Sequence, residues 1–343
     1  MATLIRKLEA EHIQGLVLDL RQNGGGSLEE AITLTGLFIH DGPVVQTREP
    51  DGRMNVDSDT DSAELYDGPL IVLTSRFSAS ASEILAGALQ DYGRALIVGD
   101  ESTFGKGTVQ TVIPTAKLMD RNGMAHSFDP GALKVTIQKF YRPSGASTQL
   151  KGVKADIALP SLSDVADVGE SKLQDPLPWD LVPPADFVRE DHVTSFLKEL
   201  RARSAARVAG EKDLTYLHED IAQFKKNLAT KTGSLNEVER RLENQADQNR
   251  VELRKKELLA LGERQPATYD ITLEDAVKPG LPAPIATTDN LPIDKSASAA
   301  DKKTLAAETS PTLGDPDLRE SEHILADYVN LLHQPSAVVL AAP

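Results

Sequence analysis

The chain has 343 residues, 40 % hydrophobic and 26 % charged, enough to bury a core and of a length typical of about two domains. Lys and Arg number 37 against 52 Asp and Glu, a net charge of −15, the wrong sign for wrapping nucleic acid or lying on an anionic membrane surface. Cys is absent, which excludes disulfides, thiolate metal sites and a cysteine nucleophile, and no apolar run reaches the ~18 residues an integral membrane segment requires.

Leu4, Ile5 and Leu8 share one face of a helix at the start. Met1 to Arg6 lack the basic, apolar, small-residue order of a secretory signal, and the chain reads as a fragment of a longer protein. Gly15 to Leu20 is a short apolar run of buried-strand type, broken by Asn23-Gly24-Gly25-Gly26. Ser27 caps the next helix, with Glu29 and Glu30 in its first turn and Ala31, Leu34, Leu37 and Phe38 at helical spacing. Val44-Val45 and Pro69 to Thr74 are further strands, and the acidic, turn-rich segment 49–67 between them is expected as an exposed loop. Within it Asp57-Ser58-Asp59-Thr60-Asp61 imitates the start of a calcium loop but lacks the Gly and the distal Glu at their offsets. Ser78 to Tyr92 has a helical pattern, Ala95 to Val98 reads as a strand, and Leu133 to Tyr141 alternates like a half-exposed strand. Strands interleaved with helices define an α/β layered domain.

Beyond about residue 160 the composition changes. Pro176, Pro178, Pro183 and Pro184 surround the single Trp, Trp179, as in an irregular linker pinned by one aromatic anchor. Residues 191–206, 213–228 and 234–262 read as helices, the third opened by a capping box of Ser234 and Glu237 and carrying a thin apolar stripe, Leu235, Val238, Leu242 and Leu253. Residues 264–315 are low in complexity, and a last amphipathic helix is expected over 317–333. The expected domains are a core over 1–160, a Pro-rich linker over 161–190 and a helical extension over 191–343.

No HxxxH or HxH spacing and no GxSxG elbow occur. Two small-residue clusters carry more chemistry. Ser78-Ala79-Ser80-Ala81-Ser82-Glu83 follows a strand and opens a helix, where free N–H groups can stabilise an anion and a serine can act as a nucleophile; an ordinary serine-rich cap is the alternative. Thr103-Phe104-Gly105-Lys106-Gly107-Thr108 sets a lysine between glycines. It does not meet the phosphate-cradling GxxxxGK[ST] pattern, and a lysine in a tight, partly apolar site can lose its proton and act as a base; a surface hairpin lysine is the alternative.

Taken with Leu18-Asp19-Leu20-Arg21-Gln22-Asn23-Gly24-Gly25-Gly26, with Ile137 to Arg142 and with Lys151-Gly152-Val153-Lys154-Ala155-Asp156-Ile157, these clusters resemble the C-terminal processing, or tail-specific, proteases, in their large periplasmic bacterial branch. The resemblance spans roughly residues 4–160 and, more loosely, the helical extension. It implies a layered α/β core of the ClpP/crotonase type followed by a mainly α-helical C-terminal domain. It also implies a serine endopeptidase with a Ser/Lys dyad and no cofactor. The family nucleophile falls on Ser80 and the general base on Lys106, with one residue more between them than is usual, in Asp100-Glu101-Ser102. Gln110 matches the residue that orients the base; Gly25 and Gly26 with the N–H of Ala81 match the oxyanion pocket; Asp91, Glu83 and Thr103 match supporting polar positions. The implied partners are protein or peptide substrates bound by their C-terminal tails and a lipoprotein adaptor, and the implied compartment is the bacterial periplasm. The PDZ and N-terminal helical domains of that branch have no counterpart in these residues, so the chain on its own is expected to be weakly active or inactive. Two alternatives share the fold: a non-enzymatic retinoid-binding relative, which would lose the dyad, and a crotonase-like acyl-transfer enzyme, which would leave Lys106 without a role.

Overall fold

The apolar runs read from the sequence stack side by side. In the computed structural model, which describes residues 1–61, 63–116, 129–230, 232–260, 267–285 and 315–334, β1 (Leu16–Asp19), β4 (Leu70–Thr74), β5 (Leu96–Gly99) and β8 (Ile157–Ala158) form one sheet in the order β1-β4-β5-β8. All three pairings are parallel, with Leu18 against Val72 and Val72 against Ile97. Leu70 to Leu73 and Leu96 to Val98 are fully buried, which is why they read as continuous apolar runs.

α2 (Leu28–Thr35) and α3 (Ala81–Tyr92) pack against each other. Ser27 caps α2 by accepting the Glu30 N–H at 3.3 Å, and Gly93, at φ +67°, ends α3. The second sheet is antiparallel, in the order β3-β2-β7-β6, from β2 (Gly42–Arg48), β3 (Met54–Asp59), β6 (Thr108–Pro114) and β7 (Ala132–Tyr141).

The expectation of an exposed loop over 49–67 is corrected here, because Met54–Asp59 pairs with β2 as an edge strand. Its polar, mostly exposed side chains carried no strand signal; pairing to the buried β2 overrides their low propensity.

Helices α4 (Thr194–Gly210), α5 (Lys212–Thr230), α6 (Glu237–Ala260) and α8 (Pro316–His333) follow close to the expected spans, and a short α7 (Leu273–Ala276), capped by Thr272, forms inside the segment read as low in complexity. The Ser234–Glu237 capping box does not form. Asn236 is the cap, its Oδ1 accepting the Val238 N–H at 2.9 Å. The stripe on α6 is solvated, with Val238 and Leu242 exposed. Most of the low-complexity segment 264–315 lies outside the described residues.

The chain divides into two compact units, Met1–Ile13 with Arg203–Ile324, and Gln14–Ala202 with Leu325–Pro343. In the first, Lys7 on α1 (Ala2–Ala10) donates to the carbonyls of Asp275 at 2.9 Å and of Lys278 and Gly280 at 2.5 Å. There too Arg207 forks onto the fully buried Glu320 with both contacts at 2.9 Å. In the second, Trp179 donates its indole N–H to Ser147 O at 2.8 Å, anchoring the proline-rich segment as expected. Tyr328 donates to His192 O at 2.9 Å.

Arg94 is fully buried in the second unit, a position its sequence context did not signal. Its Nε donates to Phe38 O at 2.8 Å and its Nη2 to Tyr66 O at 2.6 Å, and Glu64 lies 3.2 Å away. Arg94→Met keeps the volume and leaves those acceptors bare, so urea unfolding is expected to show a loss of about 3 kcal/mol. A loss below about 1 kcal/mol would mean that water replaces the guanidinium.

Candidate active site

Parallel strands put their carboxyl ends on one edge, and in open α/β sheets that edge is where ligands bind. The three motif-bearing stretches leave from it: Asn23–Gly26 after β1, Ser78–Ser80 after β4 and Thr103–Gly107 after β5. Backbone and serine hydrogen bonds sew them together. Asn23 O accepts the Ala79 N–H at 3.1 Å and the Ser82 hydroxyl at 2.8 Å. Ser78 donates its hydroxyl to Leu20 O at 2.7 Å and accepts the Phe104 N–H on its own carbonyl at 3.0 Å. Ser78 and Ser82 were not assigned any role from sequence; their partners are ~60 residues away, and no local signal reports such a bond.

Ser80 precedes the first residue of α3 at φ +57° and ψ −113°, a strained conformation for a residue with a Cβ. Its Oγ lies 3.5 Å from Lys106 Nζ. Lys106 is half-buried, and burial first, then the charge of Lys134, lowers its pKa below the ordinary 10.5. No other hydrogen bond or ion pair engages that amine among the described residues.

Beneath the pair sits Glu83, fully buried. Its Oε2 accepts the N–H of Ser80 at 2.7 Å and of Lys106 at 3.0 Å. Its Oε1 accepts the Thr103 hydroxyl at 2.6 Å and the Gly105 N–H at 2.7 Å. One carboxylate thus ties the Ser80 turn to the Lys106 loop through four donors. Burial raises its pKa to about 7, opposed by those hydrogen bonds. Its sequence signal was the Ser80-x-x-Glu83 spacing of a capping box. Thr103 also accepts the Val153 N–H at 2.8 Å, Leu150 donates to Gly105 O at 2.8 Å, and Thr148 donates to Lys106 O at 3.0 Å.

Gly25 closes the site from the β1 side at φ +94°. A Cβ there would stand 2.5 Å from Ala79 O and 2.8 Å from Ala81 N, so only glycine fits. Its N–H donates to Asn23 Oδ1 at 2.9 Å. The N–H groups of Gly26 and of Ala81, the first residue of α3, have no acceptor among the described residues.

Two residues singled out in the sequence stand apart. Gln110 is exposed on β6, beside the bulge at Val109, and makes no side-chain hydrogen bond among the described residues. Asp91 is near the far end of α3, about 16 Å along the helix from Ser80. It binds Arg142 Nη2 at 2.5 Å and the Ser144 N–H at 3.0 Å.

Elsewhere, one trio among the described residues, Glu211, Glu320 and His323, brings ligand-type atoms within 4.8 Å of one another. The Arg207 guanidinium already holds Glu320 there, so the charge a metal would bring is supplied.

A hydroxyl beside a desolvated amine on a strained strand-to-helix turn, with free N–H groups at the helix start, is the arrangement of a serine hydrolase. Residues 1–159 of the chain belong to peptidase family S41, and residues 163–330 to the C-terminal domain of tail specific protease. A tail-specific protease of Haemophilus influenzae is 42 % identical over 250 residues, 72 % of this chain and 35 % of that protein. A carboxy-terminal-processing protease of Bartonella bacilliformis is 43 % identical over 178 residues, 49 % of this chain and 37 % of that protein. A solved photosystem II D1 C-terminal processing protease is similar at 32 % identity with a TM-score of 0.39, over 46 % of this chain and 39 % of that one. The chain spans about a third of the length of the curated relatives it matches. No helix among the described residues is long and apolar enough to cross a membrane.

Proposed function

We propose that the chain carries the catalytic core of a serine endopeptidase, with Ser80 as nucleophile and Lys106 as general base. The observation that carries this reading is the 3.5 Å separation of Lys106 Nζ and Ser80 Oγ at the strained turn. The neutral amine takes the Ser80 proton as Oγ attacks a peptide carbonyl carbon. The N–H groups of Ala81 and Gly26 receive the oxyanion, a contribution of roughly 3–4 kcal/mol per donor. The Lys106 ammonium then protonates the leaving amine, and the restored amine activates the water that cleaves the acyl-enzyme. Gly25 serves by lacking a side chain, and Glu83 and Thr103 by fixing the two loops, whereas the orienting role that the resemblance implies for Gln110 has no contact with the Lys106 amine among the described residues to carry it. Asp91 acts on the position of α3 through Arg142 and not on the reacting atoms.

The names of the relatives support substrates taken by their C-terminal tails, and from the motif resemblance alone we assign the chain to a bacterial periplasmic enzyme of that kind, working on protein substrates with a lipoprotein adaptor. The core is 1–160, the linker 161–190 and the helical extension 191–343. Both dyad residues are present and adjacent, which disfavours the ligand-binding and crotonase-like alternatives.

A fluorophosphonate probe tests the nucleophile without needing a natural substrate. Labelling is expected at Ser80, to be lost in Ser80→Ala and slowed in Lys106→Ala. Labelling unchanged by Ser80→Ala, or mapped to another serine, would overturn the assignment.

A further inference from the structure

A cavity of about 430 Å³ opens in the second unit, and neither Ser80 nor Lys106 lines it. One wall carries Arg142 and the far end of α3, another the Lys151–Asp156 segment, and a third Trp179 and Arg201. Its charge is unusual for a chain of net −15, since four cations, Arg142, Lys151, Lys154 and Arg201, face a single carboxylate, Asp156. That carboxylate is already spent on structure: Oδ2 accepts the Ile97 N–H at 2.9 Å and Oδ1 accepts from Gln90 at 3.1 Å.

Three of the cations keep unused donors. Lys154 Nζ makes no hydrogen bond or ion pair among the described residues. Arg201 spends only Nε, on Asp156 O at 2.6 Å, and both its Nη groups remain. Lys151 Nζ rests 3.3 Å from the centre of the Trp179 ring, a contact with no acceptor for its N–H groups. Arg142, by contrast, is held by Asp91, which fixes that wall. Like charges gathered on one concave surface repel, and a bound anion relieves that repulsion.

We infer that this cavity is a binding site for a small, soluble phosphate-bearing molecule. The donors come from separate segments, the end of β7, the loop before β8 and α4, and so approach from several sides. A tetrahedral phosphate offers acceptors in all those directions, whereas a carboxylate offers them in one plane. Volume and composition fit a ligand of a few phosphates, with charged groups on the walls and one indole face.

Isothermal titration of the full chain with inorganic tripolyphosphate at low ionic strength tests this, with citrate as the carboxylate comparison. Tripolyphosphate is expected to bind at one site, more tightly than citrate. The double substitution Lys154→Gln, Arg201→Gln should weaken it at least about tenfold. Both side chains are exposed, and an unchanged circular dichroism melt would show the fold retained. Absence of binding, equal binding of citrate, or full affinity in the double variant would overturn the site. Capture on phosphatidylglycerol vesicles, lost in the same variant, in place of tripolyphosphate binding would overturn a soluble ligand.

Discussion

In a form of the enzyme that cleaves peptides, Lys106→Ala is expected to abolish that cleavage, with a fall on the order of 10⁴-fold or more, and Ser80→Ala is expected to match it, because the two residues act as one unit. β-Casein digestion or a fluorogenic peptide would read the loss. The pH dependence has a definite sign. The base works as the neutral amine, and burial with the nearby Lys134 charge lowers the Lys106 pKa from 10.5. Below that lowered pKa the neutral fraction, and with it kcat/KM, rises about tenfold per pH unit, then levels. Activity therefore increases toward alkaline pH, and the limb sits below the range of an ordinary lysine. A profile that falls as pH rises through neutrality would contradict a lysine base, as would full turnover in either variant.

Glu83→Gln is the second large effect. The carboxylate accepts four hydrogen bonds and donates none, and it joins the turn of Ser80 to the loop of Lys106. An amide has the same shape but turns one oxygen into an NH₂, which then faces two donors. Either the N–H groups of Ser80 and Lys106 or the groups of Thr103 and Gly105 lose their acceptor. Misplacement of reacting groups by about 1 Å costs on the order of 10²-fold, and cleavage is expected to fall by that much.

Stability should behave differently. Burial raises the Glu83 pKa from 4.5 to about 7, so between those values the folded chain retains a proton that the unfolded chain has released. This group's contribution to stability therefore falls as pH rises through that window, by about 3 kcal/mol in all. Replacing the charge removes that cost and offsets much of the loss from two bare donors. Urea unfolding at pH 8 is thus expected to change far less than activity. Wild-type cleavage should also decline below pH 7, as the proton on Glu83 displaces one of its donors. Full activity in Glu83→Gln would show that the carboxylate is not needed.

The elements that proved legible were those whose pattern reflects burial on the spot. Leu70 to Leu73 and Leu96 to Val98 read as strands because both faces of the parallel sheet are covered. Ile84, Leu85, Ala88 and Leu89 read as a helix because one face of α3 meets the core. Met54–Asp59 did not, because an edge strand with exposed side chains owes its form to the neighbour that pairs with it. The cap of α6 was missed by two residues, since Ser, Asn and Asp compete closely for that position and tertiary context decides.

The candidate site divides in the same way. The sequence by itself determined the residue types: a serine at a helix start, a lysine between glycines and a glycine run after a strand. These follow from local needs, such as Gly25, where no Cβ fits. Only the tertiary structure decided which of them meet. Ser80 and Lys106 come together because β4 and β5 are adjacent and parallel, so the loops leaving them start side by side. The sewing by Ser78, Ser82 and Glu83, the separation of Asp91 from the dyad, and the gathering of Arg142, Lys151, Lys154 and Arg201 around one cavity arise likewise. Each depends on strand order, a property of the whole chain, and the side chains that meet are up to about 60 residues apart along it.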